Sequence, residues 1–193
     1  MREHKIYILL TDTGTLFTRT IKLFTKKPYN HASIAFDEEL KEIYSFGRKR
    51  PQNPFIGGFV RENINEGLFR HARCAVYSLS VTKDEYERMY SYIKQIEAKR
   101  HLYKYNFIGL FWVMFNKTLE RDRAFFCSQF VASVLLEGKV ANFGKSVSLV
   151  RPYDLLKIPN LQLVYEGILA HYPKYLAGEE NPFLYYGNIA YPI

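Results

Sequence analysis

One cysteine at the opening turn of an apolar helix is the strongest candidate for a nucleophile in this chain. Residues 124–136 read AFFCSQFVASVLL, and Val131, Val134 and Leu135 recur at helical spacing after Cys127. Unpaired backbone N–H groups and the positive end of the helix dipole favour an anion in a first turn, and this environment lowers the pKa of a thiol. The alternative is that Cys127 is a small buried hydrophobe, as most free cysteines are.

A histidine upstream of the cysteine offers the matching base. Residues 31–36 read HASIAF, so His31 begins a predicted strand and shares a face with Ser33 and Ala35. A second predicted strand, 41–46, ends at Gly47. A thiol on a helix N-terminus, an imidazole on a neighbouring strand and a polar residue on the next strand are the arrangement of a cysteine–histidine hydrolase.

The order of these motifs resembles the circularly permuted branch of the NlpC/P60 papain-like superfamily, the YiiX/YebB-like group. Four motifs carry the resemblance: HASIAF at 31–36, YSFG at 44–47, FCSQFV at 126–131 and RPYDL at 151–155. In that branch the histidine strand precedes the cysteine helix, as it does here. The resemblance covers residues 4–168 and leaves 169–193 as an aromatic-rich C-terminal extension.

The resemblance implies a single α+β, papain-like domain over residues 1–193, with the cysteine helix packed against a central antiparallel sheet. The expected strands lie near residues 5, 31, 41, 73 and 161. Carried over to this sequence, Cys127 is the nucleophile, His31 is the base, and the third, orienting position falls on Tyr44. Ser45 takes that position if the register slips by one residue, because a slip exchanges the faces of the strand. Further substrate-binding candidates are Thr13, Ser45 and Ser128.

Other segments of the sequence predict the elements around this site. Residues 16–24 are predicted as a helix, and 47–67, rich in Gly, Pro and Asn, as a long loop that walls the site and contacts substrate. Thr82 and Glu85 form a predicted capping box before a helix that reaches Lys99. Residues 105–115 are too short to span a bilayer, so a buried helix is expected, with an interfacial membrane segment as the alternative.

Composition sets the remaining expectations. The chain has 193 residues, 48% of them hydrophobic, which is enough for one sizeable core, and two cysteines, of which Cys74 is expected to be buried and inert. No secretory signal is visible at the N-terminus, so the expected location is cytoplasmic. The net charge of +8 has three interpretations: it steers an acidic substrate to the site, it holds the protein near an anionic surface, or it is an ordinary solvated basic face.

The sequence contains no nucleic-acid recognition module, no metal-ligand spacing and no phosphate-binding loop, so we expect no nucleic-acid partner, no metal and no cofactor. The expected activity is amide hydrolysis of a small peptide or amino-acid conjugate through a Cys–His acyl-enzyme. The alternatives are a lipid acyltransferase or thioesterase of the same permuted fold, which implies a lipid substrate, and a non-catalytic binding domain with a decayed triad. A peripheral membrane contact is a further expected partner, if residues 105–115 form the interfacial segment.

Overall fold

The chain folds as an α+β structure built on one six-stranded antiparallel sheet. The computed structural model describes residues 3–14, 26–50, 53–67, 69–114, 117 and 122–179. The helix predicted at 16–24 and residues 180–193 of the predicted extension lie outside these ranges.

The sheet has the strand order β4-β3-β2-β1-β5-β8. Its strands are β1 (His4–Asp12), β2 (His31–Ala35), β3 (Ile43–Arg50), β4 (Asn53–Glu62), β5 (Arg73–Val81) and β8 (Gln162–Ile168). Two short strands, β6 (Lys104–Tyr105) and β7 (Ala124–Phe125), form a separate parallel pair. The five predicted strands are therefore all members of one sheet, with β8 paired to β5 at its edge.

The described α-helices are α1 (Lys83–Ala98), α2 (Phe107–Met114), α3 (Cys127–Glu137) and α4 (Tyr172–Leu176). The predicted capping box of α1 is present: the Thr82 hydroxyl accepts from the Glu85 N–H at 3.3 Å, and the Glu85 carboxylate accepts from the Thr82 N–H at 2.7 Å. No helix among the described residues is both long and apolar enough to cross a membrane.

Apolar clusters cover both faces of the sheet. One cluster joins Ile8, Ile34 and Phe46 of the sheet to Ile93 of α1 and Phe130 of α3. The Phe130 ring centroid lies 5.1 Å from that of Phe46 on β3, which fixes the cysteine helix to this face.

The opposite face of the sheet is covered partly by the beginning of the predicted C-terminal extension. Tyr7, Cys74 and Tyr165 of the sheet share a cluster with Tyr172 of α4. Tyr172 is fully buried, so the packed core extends past residue 168, the limit that the resemblance suggested. Cys74 is buried and unpaired, as the sequence predicts.

The prediction of one long loop over residues 47–67 is wrong. β3 continues to Arg50, and β4 occupies Asn53–Glu62 and pairs with it, with Gly47 opposite Gly58 and Arg48 opposite Gly57. Pro and Gly are uncommon inside strands, and their presence here concealed the strand pattern. Glycine fits at this place because the backbone is closely approached: a Cβ at Gly57 would lie 2.6 Å from the Gly47 carbonyl oxygen and 2.7 Å from the Tyr105 Cβ.

Candidate active site

The structure brings the predicted nucleophile and base together. His31 begins β2, Cys127 begins α3, and the two side chains interact electrostatically and by a side-chain hydrogen bond. Cys127 is 1% exposed, whereas the His31 side chain is 15% exposed. The imidazole is therefore the part of the pair that solvent reaches.

A carboxylate from β4 completes the constellation. Glu62 is the last residue of β4, and its Oε1 lies 2.7 Å from His31 Nε2. Because Nε2 is engaged by the carboxylate, Nδ1 is the ring nitrogen that remains available to other partners. The Glu62 side chain is only 5% exposed, so the pair is sheltered from the screening that weakens surface ion pairs.

Two serine hydroxyls hold this carboxylate in place. Ser33 of β2 donates to Glu62 Oε2, and Ser45 of β3 donates to Oε1. His31, Ser33 and Ser45 therefore converge on one carboxyl group from two neighbouring strands. A buried carboxylate needs such donors, because burying it without hydrogen bonds would be strongly unfavourable.

The pKa of His31 reflects these neighbours. Burial by itself lowers the pKa, because it penalises the charged imidazolium. Electrostatic interactions with Glu62 and Cys127 and the hydrogen bonds to both outweigh this penalty and raise the pKa of His31 to about 10. At neutral pH the imidazole of the resting site is thus protonated, and the site contains an imidazolium held between two acidic groups.

Tyr44, the residue expected to orient the histidine, is not brought to it. Neighbouring residues on a strand face opposite sides, so Tyr44 points away from the face on which Ser45 binds Glu62. Its hydroxyl instead accepts from Lys94 Nζ at 2.9 Å and from Arg61 Nη2 at 3.2 Å. Tyr44 therefore ties β3 to α1 and β4, and Glu62 has the position that the sequence assigned to Tyr44 or Ser45.

The first turn of α3 can receive an oxyanion. The N-cap residue, Phe126, makes no side-chain capping bond, and its own N–H donates to Gln129 Oε1 at 3.4 Å. The backbone N–H of Cys127 begins the helix beside the thiol, where N–H groups lack intrahelical acceptors. This is the geometry in which a backbone donor stabilises the negative oxygen of a tetrahedral intermediate.

The other two predicted substrate-binding residues have different surroundings. Ser128 is fully buried, and its hydroxyl donates to the Val150 carbonyl at 2.8 Å, so it anchors the start of α3. Thr13 follows β1, two residues beyond Thr11, which pairs with His31. The Thr13 Oγ1 and the Thr11 Oγ1 are both buried and have no hydrogen-bond partner. Two unsatisfied hydroxyl groups therefore lie near this end of the strands.

Tyr105 and Phe69 border the histidine and the thiol, and the sequence did not single out either one. The Phe69 ring centroid lies 6.0 Å from that of His31. Burial, and then the charge of the nearby Cys127, raise the pKa of the Tyr105 phenol, against the opposing effect of Arg48. The Tyr105 hydroxyl therefore stays neutral beside the thiol.

No group of three or more His, Cys, Asp or Glu side chains within the described ranges is arranged to hold a metal ion. Cys127, His31 and Glu62 place a thiol, an imidazole and a carboxylate in succession, with the imidazole in contact with the other two groups. Comparison with known proteins finds no match among family models, curated proteins or solved structures. A function for this protein is therefore inferred from the geometry of the site.

Proposed function

We propose that this protein is a thiol hydrolase that cleaves an amide bond through a Cys127 acyl-enzyme, with His31 as acid and base and Glu62 as the orienting carboxylate. The observation that carries the proposal is the position of His31, whose imidazolium is held between the Glu62 carboxylate and the Cys127 side chain. Burial alone disfavours a charged imidazole, so the surrounding acidic groups supply the driving force for charge at this position.

The proposed reaction proceeds by acyl transfer. The Cys127 sulfur attacks the carbonyl carbon, a C–S bond forms, and the carbonyl electron pair moves to oxygen, where the Cys127 N–H stabilises it. His31 donates its proton to the leaving nitrogen as the C–N bond breaks. His31 then takes a proton from water, and the resulting hydroxide attacks the thioester. The acid product leaves as the C–S bond breaks, which restores the Cys127 thiolate and the His31 imidazolium.

The substrate class follows from the chemistry of the site and the resemblance to the permuted papain-like group. A peptide or amino-acid conjugate is the first candidate, because an acid that protonates the leaving nitrogen is what an amide needs and an activated ester does not. Access comes from the exposed edge of His31, since Cys127 is almost completely buried. Lipid acyl esters are a second substrate class for the same acyl-enzyme.

The first test is the ionisation of the thiol in a Cys74→Ala background. Thiolate absorbance near 240 nm and the rate of alkylation by iodoacetamide are measured against pH for the parent, for His31→Ala and for Glu62→Gln. We expect thiolate at neutral pH in the parent and its loss without His31. Tyr44→Phe is the matched control: it removes a buried hydroxyl from β3 outside the constellation and is expected to leave the thiolate unchanged.

Turnover is tested with amino-acid p-nitroanilides and p-nitrophenyl esters. We expect release of the chromophore that is abolished by Cys127→Ala and reduced about 10²-fold or more by Glu62→Gln, because the histidine then loses its orienting anion. Mass spectrometry of the quenched reaction is expected to show acyl groups on Cys127. A thiolate that forms without His31, or hydrolysis that survives Cys127→Ala, would contradict the proposal.

A second candidate function, a non-catalytic binding domain, is favoured by the burial of Cys127 at 1% exposure. This function predicts a thiol that is protonated at neutral pH and alkylated only on unfolding. The same absorbance measurement separates the two candidates, because it reports thiolate whether or not a reagent reaches the sulfur.

A further inference from the structure

An exposed apolar face on α2 lies close to the candidate site. Ile108 and Trp112 are four residues apart, so they share one side of the helix, and they are 49% and 41% exposed. Val113, on another side, is 3% exposed and packs with Phe126 next to the cysteine. The helix is thus anchored beside the thiol by one side and presents large apolar side chains to solvent on another.

Exposed apolar side chains are concentrated in this part of the chain. The large hydrophobic residues that are exposed within the described ranges are Leu102, Ile108, Trp112, Leu136 and Leu163. Three of the five belong to residues 99–123. Single exposed apolar residues are ordinary, but two large ones on the same side of one short helix are typical of a binding surface.

Positive charge is concentrated in the same segment. Residues 99–123 contain six basic and two acidic residues, a net charge of +4. This segment of about an eighth of the chain therefore carries half of the net charge of +8. Lys117 Nζ lies 5.4 Å from the centroid of the Trp112 ring. Lys104 and Arg123 are exposed and adjacent, since the Lys104 N–H donates to the Arg123 carbonyl.

We propose that the described residues of this segment, 99–114, 117, 122 and 123, form a docking surface for an anionic lipid bilayer, with Ile108 and Trp112 of α2 at its centre. Apolar and aromatic side chains enter the boundary between headgroups and acyl chains, while lysine and arginine remain at the level of the anionic headgroups. The eight-residue α2 is about 12 Å long, so it lies in the interface and does not span the bilayer. Binding would place the start of the cysteine helix near the membrane, because Val113 of α2 packs with Phe126, the residue before Cys127.

Trp112 allows a direct test, because it is the only tryptophan in the chain. The full-length protein is mixed with vesicles of phosphatidylcholine alone, or with phosphatidylglycerol at about 30% of the lipid. We expect co-sedimentation and a blue shift of tryptophan emission with the anionic vesicles only. Both signals are expected to weaken steeply in about 0.5 M NaCl, because salt screens exposed charges.

Matched variants locate the surface. Ile108→Ser is expected to weaken binding about tenfold or more, and Lys104→Glu with Arg123→Glu to weaken it at low salt. Leu136→Ser and Leu163→Ser, which change equally exposed leucines elsewhere, are expected to bind like the parent. Circular dichroism confirms that each variant is folded.

Three outcomes would overturn the membrane proposal. These are no emission shift with anionic vesicles, equal binding to neutral vesicles, and a concentration-dependent blue shift without lipid, which would assign the face to self-association. Cys127→Ala is expected to bind vesicles normally, so this test and the test of hydrolysis fail independently.

Discussion

At the scale of single residues, His31 carries the most specific prediction. Burial lowers its pKa, but the charges of Glu62 and Cys127 and their hydrogen bonds raise it to about 10, above the reference of about 6.5. We expect the imidazole resonances of His31 to titrate far above those of an exposed histidine in an NMR pH series. The signal that disappears in His31→Gln identifies the residue among the five histidines of the chain.

Glu62→Gln provides the contrast for this measurement. Glutamine keeps the side-chain length and a hydrogen-bonding group but removes the negative charge. Burial, which lowers the pKa of His31, is then opposed less strongly. The pKa of His31 is expected to fall clearly in this variant. An unchanged titration of His31 would show that Glu62 does not stabilise the imidazolium.

The sequence predicted two of the three central residues. Cys127 and His31 stand in short local patterns, a helix start and an alternating strand, which can be recognised without the fold. Glu62 is 31 residues from His31 and reaches it only because β4 pairs with β3 and its carboxylate extends to β2. A tertiary contact of this kind has no local signature, so the sequence pattern predicts the third position on β3, at Tyr44 or Ser45, and not on β4.

At the scale of secondary-structure elements, β3, β4 and β6 approach one another closely beside the candidate site. Gly57 allows this approach, since a Cβ there would lie 2.6 Å from a backbone oxygen and 2.7 Å from the Tyr105 Cβ. We expect Gly57→Ala to lower the free energy of unfolding by about 1–3 kcal/mol, as overpacking does, and to displace Tyr105 from the thiol. Urea unfolding measures the loss.

Gly47→Ala is the control on the facing strand. A Cβ at Gly47 meets its nearest atoms at 3.6–3.7 Å, which is ordinary van der Waals contact. Its stability is expected to stay close to that of the parent. Equal losses in the two variants would mean that glycine itself, and not the contact with Tyr105, matters at these positions.

The elements with regular periodicity were predicted and those shaped by packing were not. The strand of His31, the capped helix α1 and the cysteine helix follow from alternation, a capping box and helical spacing. β4 was missed because its proline and glycines suggest a loop, and they are tolerated in the fold at an edge strand crossed closely by Tyr105. The helix expected at 105–115 is present as α2, but Ile108 and Trp112 are exposed, so this helix is not buried on every side.

At the scale of the whole molecule, the ion pair between His31 and Glu62 links folding to pH. A group whose pKa is raised by folding stabilises the protein fully below its unfolded pKa, and the stabilisation is lost as the pH rises through the folded value. For His31 this window runs from about 6.5 up to about 10 in the intact site. Cys127→Ala isolates the contribution of Glu62, because this variant has no thiol proton to release. Without Cys127 the folded pKa of His31 is expected to lie below about 10, so the upper end of this pH range falls.

We therefore expect the free energy of unfolding of Cys127→Ala to fall as the pH rises above about 6.5, by at most about 1.4 kcal/mol per pH unit. The slope is expected because the folded chain retains a proton on His31 that the unfolded chain has released. In Cys127→Ala with Glu62→Gln the imidazole has no anionic partner, so this slope should disappear. Urea unfolding of both variants in matched buffers between pH 6 and 9 measures it, and a slope that persists without Glu62 would place its origin outside the pair.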